Sequence, residues 1–215
     1  MKNPTKQIVV GITGASGAAY AQRLVHALCD GGAHVHLIVT PHGRRLFLDE
    51  LDLPDVNATT LLGGERENLT IYPYRDVGAK LGSGSFITHG MIICPCSSNT
   101  LAAVSCGLAD NLLDRAAAVT LKEKRRLILV PREMPMSQID LENSLRLSRT
   151  GAVICPASPG FYMLPKTIDD LVDFVVGKLL DLVEVPHQLN TRWKGDAPSS
   201  KTVRRPTGVV PDLAE

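Results

Sequence analysis

The sequence has almost no net charge and no long apolar run. Lysine and arginine number 23 and aspartate and glutamate 22 in 215 residues, so no overall field would attract nucleic acid or an anionic membrane. The N-terminus from Met1 to Gln7 has no apolar signal core, and the longest apolar runs fall well short of the ~20 residues that cross a bilayer. These absences predict a cytoplasmic protein with neither a nucleic-acid nor a membrane partner.

Cysteine and histidine are present, but not in the arrangements that bind metals. The five cysteines are odd in number and form no C-x-x-C pair, and the six histidines show no ligand spacing. Cys94 and Cys155 fall within apolar runs and are predicted to be small core residues. Cys96 has no histidine arrangement that would mark it as a nucleophile. The sequence therefore predicts a reduced protein without a bound metal.

The chain does contain short apolar runs that alternate with helical patterns. Near-continuous Val, Ile and Leu runs separated by helices indicate a parallel sheet covered on both faces. We therefore predict a single-domain α/β fold, a Rossmann-like doubly wound parallel sheet over residues 1–193, followed by a polar tail at 194–215. The clearest predicted strands are Ile8–Ile12, Val35–Thr40, Met91–Cys94, Leu127–Val130 and Ala152–Cys155.

Proline follows four of these strands, and capping residues mark several helices. Since proline cannot donate to a ladder, each of the four strands is predicted to stop there, at the carboxyl edge where ligands bind in open α/β sheets. Between Asp52 and Gly90 the pattern is weaker, with one strand at Leu69–Tyr74 and a flexible loop at Gly78–Ser85. The predicted helices are Ala18–Asp30, Arg115–Lys124 capped by Asp114, one from the Ser137-x-x-Asp140 capping box to near Gly151, and one from Thr167-x-x-Asp170 to about Val183.

A glycine-rich turn, Gly11-Ile-Thr-Gly-Ala-Ser-Gly17, joins the first strand to the first helix. Backbone N–H groups and the helix dipole at such a turn suit a phosphate. The spacing G-x-x-G-x-x-G differs from the dinucleotide fingerprint, and no acidic residue follows the second strand to bind a ribose. A mononucleotide therefore fits better than NAD, although a purely structural tight turn stays open as an alternative. The Ser16 hydroxyl suits phosphate binding or proton relay.

Two motif matches are discounted on local geometry. Tyr162-x-x-x-Lys166 copies the catalytic pair of short-chain reductases, but Pro165 and the preceding Pro159-Gly160 disfavour the helix that would align the two side chains. The run Asp169-Asp-Leu-Val-Asp173 copies the D-D-x-x-D of magnesium-dependent prenyl synthases. Because these acids open a helix, where carboxylates complement the dipole, capping is favoured over metal binding.

Three basic residues outline a second anion site. Arg115 and Lys122 are seven residues apart and share a helix face, and Arg132 follows a strand-ending proline. Most Arg and Lys side chains are exposed to solvent, so a surface role without a ligand stays the more common alternative for each of these three residues. Glu133, beside Arg132, fits either an ion pair or an acid/base at the crevice, and the residues alone leave that choice open.

Several ordered motifs together resemble the UbiX family of flavin prenyltransferases up to Trp193. The motifs are Gly11-Ile-Thr-Gly-Ala-Ser-Gly17, Cys94-Pro-Cys-Ser97, Arg115-Ala-Ala, Leu121-Lys-Glu-Lys-Arg125, Val130-Pro-Arg-Glu133, Leu141-Glu-Asn143 and Pro159-Gly-Phe-Tyr162. The resemblance implies transfer of a dimethylallyl group from dimethylallyl monophosphate to N5 and C6 of reduced FMN, without a metal. It also implies a UbiD-type decarboxylase, often in ubiquinone synthesis, as recipient of the product, and a homo-oligomer of up to twelve subunits with shared sites.

The resemblance also assigns roles by position. It implies FMN contacts from Gly14, Ala15, Ser16, Thr40, Ser83, Ser97 and Arg115. It implies prenyl-phosphate contacts from Lys122, Arg132, Tyr162 and Lys178, a wall of the prenyl pocket from Trp193, and catalytic roles for Glu133, Ser16 and Glu50.

Three positions depart from the family pattern. Asn99 stands where many members carry glycine, which resembles the P-A-S-A-N-T motif of flavin-dependent cysteine decarboxylases. Val77 replaces a tryptophan found in some members, and Lys178 replaces a frequent arginine, which keeps the charge and loses the bidentate fork. An FMN-dependent oxidative decarboxylase of cysteinyl groups and a non-catalytic flavin-binding accessory subunit therefore stay as alternatives.

Overall fold

Six parallel strands form one sheet in the order β3-β2-β1-β4-β5-β6. This order confirms the predicted doubly wound α/β fold, because the chain leaves β1 in one direction and then crosses to its other side. The computed structural model describes residues 5–189 and 191, so Trp193 and the predicted tail lie outside it. The strands are β1 (Gln7–Ile12), β2 (His34–Val39), β3 (Leu69–Tyr72), β4 (Gly90–Cys96), β5 (Leu127–Pro131) and β6 (Val153–Ile154).

Helices cover both faces of the sheet. One face packs against α1, α2, α3 and α7 in a core that includes the fully buried Phe47, and the other packs against α4, α5 and α6 in a core that includes Met91. Among the described helices, none has the length and apolar character needed to span a bilayer. The helices are α1 (Ala18–Asp30), α2 (Pro41–Leu51), α3 (Ala58–Leu62), α4 (Ser98–Ser105), α5 (Leu112–Lys122), α6 (Gln138–Arg149) and α7 (Ile168–Leu182), with a short 3-10 turn at Lys80–Gly82.

Two of the four prolines lie within their strands, and one of them, Pro95, does not end its strand. Strand β4 continues through Pro95, and β5 includes Pro131. A proline lacks the N–H but keeps its carbonyl, and both carbonyls are used here. Pro95 O accepts from Oγ1 of Thr13 at 2.7 Å, and Pro131 O accepts from the backbone N–H of Ala157 at 3.1 Å. The prediction that each strand stops at its proline was therefore wrong for β4, whereas β5 ends at Pro131.

The N-cap of α5 is Asn111, so the prediction that Asp114 caps this helix was wrong. The Asn111 side-chain oxygen accepts the N–H of Asp114 at 3.0 Å, and the helix begins at Leu112. Asp114 belongs to the first turn and is buried. The capping boxes at Ser137 and Thr167 and the predicted span of α1 are confirmed.

A buried histidine on β2 contacts residues of both neighbouring strands, β1 and β3. His36 is 1% exposed; its Nδ1 lies 3.1 Å from the Tyr72 hydroxyl and its Nε2 lies 2.8 Å from Oε1 of Gln7. Burial, followed by the nearby His34 and Lys80, lowers the pKa of His36 to about 4. The folded protein therefore holds His36 in its neutral form at pH 7.

This histidine predicts a defined pH dependence of stability. An unfolded chain protonates His36 near its ordinary pKa of 6.5, while the folded chain resists protonation down to about 4. The unfolded state then binds more protons in this window, so the free energy of unfolding should fall as the pH is lowered from about 6.5 towards 4. The free energy of unfolding, measured with urea at several pH values in that range, should change less with pH for His36→Asn than for the wild type. The same pH dependence in His36→Asn and the wild type would contradict a neutral, buried His36. His26→Asn, which removes a half-exposed histidine on α1, is the control.

Candidate active site

A cavity of about 710 Å³ opens at the carboxyl edge of the sheet, where β1 and β4 lie side by side. This is the point where the strand order reverses, which is where open α/β sheets bind ligands. The volume lies within the roughly 300–1,000 Å³ typical of small-molecule sites. Its lining residues are Thr13, Gly14, Thr40, Pro41, His42, Arg45, Leu46, Asp49, Tyr74, Ser97, Asn99, Thr100 and Asp114.

The glycine-rich turn forms one wall of this cavity. A side chain at Gly14 would place its Cβ 2.5 Å from the Cβ of His42, so only glycine lets α2 approach so closely. Gly17 has φ of 133°, a conformation that favours glycine. Thr13 joins the turn to β4, because its hydroxyl oxygen accepts the N–H of Ser97 at 2.8 Å. These contacts fix the turn independently of any ligand.

Two predicted flavin-contact residues begin helices beside the turn. Thr40 caps α2 by accepting the N–H of Gly43 at 3.0 Å, and Ser97 caps α4 by accepting the N–H of Thr100 at 3.3 Å. Together with Gly14 they place polar groups and two helix N-termini around one cavity, which suits an anionic, hydroxylated ligand. Ala15, the next residue in the turn, is buried behind this wall.

The N-terminus of α1 is already occupied by a carboxylate of the same chain. Oε2 of Glu50 accepts the N–H of Gly17 at 3.0 Å and that of Ala18 at 2.8 Å. A carboxylate there complements the helix dipole as a phosphate would. The N–H groups of Gly17 and Ala18 are thus engaged, and the turn meets the cavity through Gly14 instead.

Ser16, Glu50 and Arg132 form a polar cluster at the same edge. Arg132 Nε donates to the backbone oxygen of Ser16 at 3.1 Å. Partial burial alone would raise the pKa of Glu50. The net shift is downward, because Glu50 accepts hydrogen bonds from the Ser16 hydroxyl and from the N–H groups of Ala18 and Gly17 and lies near the charge of Arg132. Glu50 is therefore an ionised carboxylate beside a hydroxyl and a guanidinium group.

Glu133 extends this cluster towards the cavity. It is exposed beside Arg132, and its Oε2 accepts from the Ser98 hydroxyl at 3.4 Å. Ser98 is the first residue of α4, next to the cavity-lining Asn99. We call Ser16, Glu50, Arg132 and Glu133 the edge cluster.

A second group of predicted residues lies along α5, away from the edge cluster. The exposed Arg115, in the first turn, donates from Nε to Gly82 O at 3.1 Å. Lys122 is at the other end of the helix, where its ammonium group contacts Glu123 at 2.6 Å. Ser83 follows the 3-10 turn at Lys80–Gly82, and its Oγ lies 2.9 Å from Oγ of Ser85. Because α5 leads down to the start of β5, Lys122 lies towards the amino edge of the sheet.

The remaining predicted phosphate contacts belong to α7 and the segment before it. Tyr162 is half-exposed and its ring meets that of Phe174 edge-on at 5.5 Å between centroids. Burial raises the pKa of the Cys155 thiol, and the positive charge of the exposed Lys178 opposes that rise. The structure thus places Arg132 in the edge cluster, while Lys122 lies on α5 and Lys178 on α7.

The two discounted motifs have structural roles. Tyr162 and Lys166 lie in a non-helical segment, as predicted. Asp170 accepts N–H groups from Lys166 and Thr167 at the start of α7, which confirms the capping interpretation, and Asp173 pairs with Arg23. Within residues 5–189 and 191, no group of three or more His, Cys, Asp or Glu side chains is arranged to hold a metal ion.

Most of the residues that line the cavity were not predicted as site residues, and three of them have side chains that could contact a ligand. They are His42, Tyr74 and Asp114. His42 directly follows Thr40-Pro41, so its position after a strand was a usable signal. Tyr74 follows β3 by two residues, and Asp114 was interpreted as a helix cap. None carries a motif by itself.

Comparison with known proteins agrees with this geometry. The flavoprotein family model matches residues 1–180. The flavin prenyltransferase UbiX of Halalkalibacterium halodurans is 50% identical over 189 residues, covering 86% of this chain and 91% of that relative. The crystal structure of AnUbiX (PadA1) in complex with FMN and dimethylallyl pyrophosphate has a TM-score of 0.81 at 38% identity, covering 90% of this chain and all of that chain.

A second solved structure shows the same likeness. The dodecameric FMN-dependent UbiX-like decarboxylase from Escherichia coli O157:H7 is 41% identical with a TM-score of 0.79, covering 88% of this chain and all of that chain. The matches extend over nearly the whole described chain, including the turn, the cavity and the edge cluster. The chain belongs to the UbiX flavin prenyltransferase family of flavoproteins.

Proposed function

We infer that this protein joins the dimethylallyl group of dimethylallyl monophosphate to N5 and C6 of reduced FMN. The observation that carries this inference is the edge cluster, in which two carboxylates, a hydroxyl and a guanidinium group adjoin a cavity of flavin size. The relative crystallised with FMN and dimethylallyl pyrophosphate supports the pair of substrates. The proposed recipient of the prenylated flavin is a UbiD-type decarboxylase, and the proposed location is the cytoplasm.

The residues around the cavity fit FMN. Thr40 and Ser97 supply hydroxyls, and the N-termini of α2 and α4 provide positive helix ends for a phosphate. Gly14 keeps the wall beside His42 free of a side chain. Tyr74 adds an aromatic surface on which a flat ring can pack.

Reduced FMN supplies the nucleophilic nitrogen and carbon, and the chain supplies charge and proton transfer. As the allylic C–O bond breaks, its electron pair leaves with the phosphate, and Arg132 offers positive charge for that group. Glu50 holds the hydroxyl of Ser16 and balances Arg132. Bond formation at N5 releases the N5 proton, and the leaving phosphate can accept it. Closure at C6 uses the double bond of the dimethylallyl group, which takes up one proton while C6 loses one, and Glu133 with Ser16 is the proposed relay.

The other phosphate contacts come, in this proposal, from neighbouring copies of the chain. Lys122, Tyr162 and Lys178 lie outside the edge cluster of their own chain. Large apolar side chains are exposed next to Glu133 and around Tyr162, which is typical of protein interfaces. They include Met134 (89% exposed), Ile139, Phe161, Leu164 and Ile168. The dodecameric relative supports a homo-oligomer whose subunits complete one another's sites.

Anaerobic incubation of the purified protein with reduced FMN and dimethylallyl monophosphate tests this function. Mass spectrometry should find FMN carrying one added dimethylallyl-derived unit, together with released phosphate. A parallel reaction with the diphosphate identifies the donor. No adduct with either donor would overturn the proposal, and bound FMN without adduct would instead favour the accessory role.

A further inference from the structure

A buried carboxylate, Asp114, forms part of the cavity wall and has no role in the reaction described above. Asp114 is 7% exposed and lies in the first turn of α5. Asn111 Nδ2 donates to its Oδ2 at 2.6 Å. An ionised carboxylate has two oxygens with about four lone-pair sites, so this one bond leaves acceptor capacity for a ligand.

The surroundings of Asp114 favour a ring over a phosphate at this end of the cavity. Burial raises the pKa of Asp114, and the hydrogen bond from Asn111 opposes part of that rise. The pKa of Tyr74 is also raised, first by burial and then by the negative charge of Asp114. The two residues lie close together, because the backbone N–H of Leu112, two residues before Asp114, donates to the Tyr74 carbonyl at 3.0 Å. A negative carboxylate repels a phosphate, whereas the aromatic ring of Tyr74 suits a flat ligand.

The opposite side of the cavity suits the phosphate. Gly14 and Thr40 lie there, with the N-terminus of α2, and the charge of Arg45 is paired with that of Asp49 at 2.8 Å. Asn99 lies at the start of α4, next to Ser98, which donates to Glu133. Because α2 and α5 cover opposite faces of the sheet, a flavin with its phosphate near Thr40 would extend its ring towards Asp114.

We propose that Asp114 is a specificity-determining residue that accepts a hydrogen bond from N3–H of the flavin. N3–H is the N–H donor of the oxidised ring, and a carbonyl flanks it on each side. A carboxylate matches the N–H, and the Asn99 amide offers a donor for a neighbouring carbonyl. This inference rests on the proposed function only in taking FMN as the ligand.

Binding of oxidised FMN and of 3-methyl-FMN, which lacks that N–H, tests the contact without turnover. A hydrogen bond to a charged group contributes about 1.5–3 kcal/mol, so the wild type should bind FMN roughly 10- to 150-fold more tightly than 3-methyl-FMN. Asp114→Ala should weaken FMN binding and bind both flavins equally. Asp169→Ala removes an exposed carboxylate from the first turn of α7, outside the cavity, and should keep the wild-type preference.

A second readout responds to the charge alone. Removing a negative charge beside the ring favours the reduced, more electron-rich flavin. Asp114→Asn should therefore raise the midpoint potential of bound FMN, while Asp169→Asn, which removes an exposed charge on α7 outside the cavity, should leave it unchanged. This measurement does not depend on prenyl transfer.

Several outcomes would overturn the inference. They are an unchanged preference for FMN in Asp114→Ala, FMN binding as tight as in the wild type, and an unshifted potential in Asp114→Asn. A wild-type protein that binds FMN but forms no adduct would overturn only the proposed function. A wild-type protein that binds no flavin would overturn both.

Discussion

Replacing Glu133 by Gln should slow adduct formation by roughly 100- to 10,000-fold, the usual contribution of a positioned acid or base. The substitution keeps the size of the side chain and an acceptor for the Ser98 hydroxyl, but it removes the ability to take up a proton at neutral pH. FMN should stay bound with nearly its wild-type affinity, because Glu133 lies beside the cavity wall. Rapid-quench measurement of the adduct and fluorescence titration of FMN separate the two effects.

A matched surface glutamate serves as the control for Glu133. Glu142 is exposed on α6 and accepts from Gln138 at 2.8 Å. Glu142→Gln should leave the rate within about twofold of the wild type, as expected for a surface change away from the site. If Glu133→Gln kept the full rate, Glu133 would have no role in proton transfer.

Replacing Glu50 by Gln should lower the rate by about 100- to 1,000-fold, comparable to the loss of one group that stabilises transition-state charge. The amide oxygen can still accept the N–H groups of Gly17 and Ala18. The negative charge that balances Arg132 is lost, and with it the strong acceptor for the Ser16 hydroxyl. We therefore expect a lower kcat with a smaller change in the affinity for FMN.

The control for Glu50 is an ion-paired glutamate at the other edge of the sheet. Glu184 pairs with Lys6 at 3.1 Å, and the hydrogen bond and charge of Lys6 lower its pKa. Glu184→Gln should retain wild-type activity and show at most a small loss of stability. Equal losses of activity in the two variants would indicate a general effect on folding instead of a role in the site.

The sheet could be predicted from the sequence because fully buried parallel strands have a strong local signal. Runs such as Leu127–Val130 are apolar and β-branched or leucine-rich, and helices with clear caps separate them. Helices α2, α3 and α4 were not predicted. Thr40 caps α2 and Ser97 caps α4. The family resemblance predicts flavin contacts for both residues and does not indicate that they begin helices.

The candidate site was predictable only in part. The turn follows β1 and Arg132-Glu133 follow β5, with only β4 between them, so their common position at the carboxyl edge follows from the strand order. The carboxylate of Glu50 is distant in sequence, and its contact with Gly17 depends on how α2 packs against α1. Lys122 shares a helix face with Arg115, yet the length of that helix carries it away from Arg132. Sequence spacing along a helix cannot reveal this separation.

We propose that prenyl transfer occurs at an edge cluster completed by Lys122 of another copy. Mixed oligomers assembled from Lys122→Ala and Glu133→Gln chains test it, with adduct formation as the readout. Each variant alone should be nearly inactive, whereas random mixing should restore about a quarter of the sites. Mixing Glu50→Gln with Glu133→Gln should restore none, because both residues belong to the edge cluster of one chain. No recovery in the first mixture would contradict the shared site.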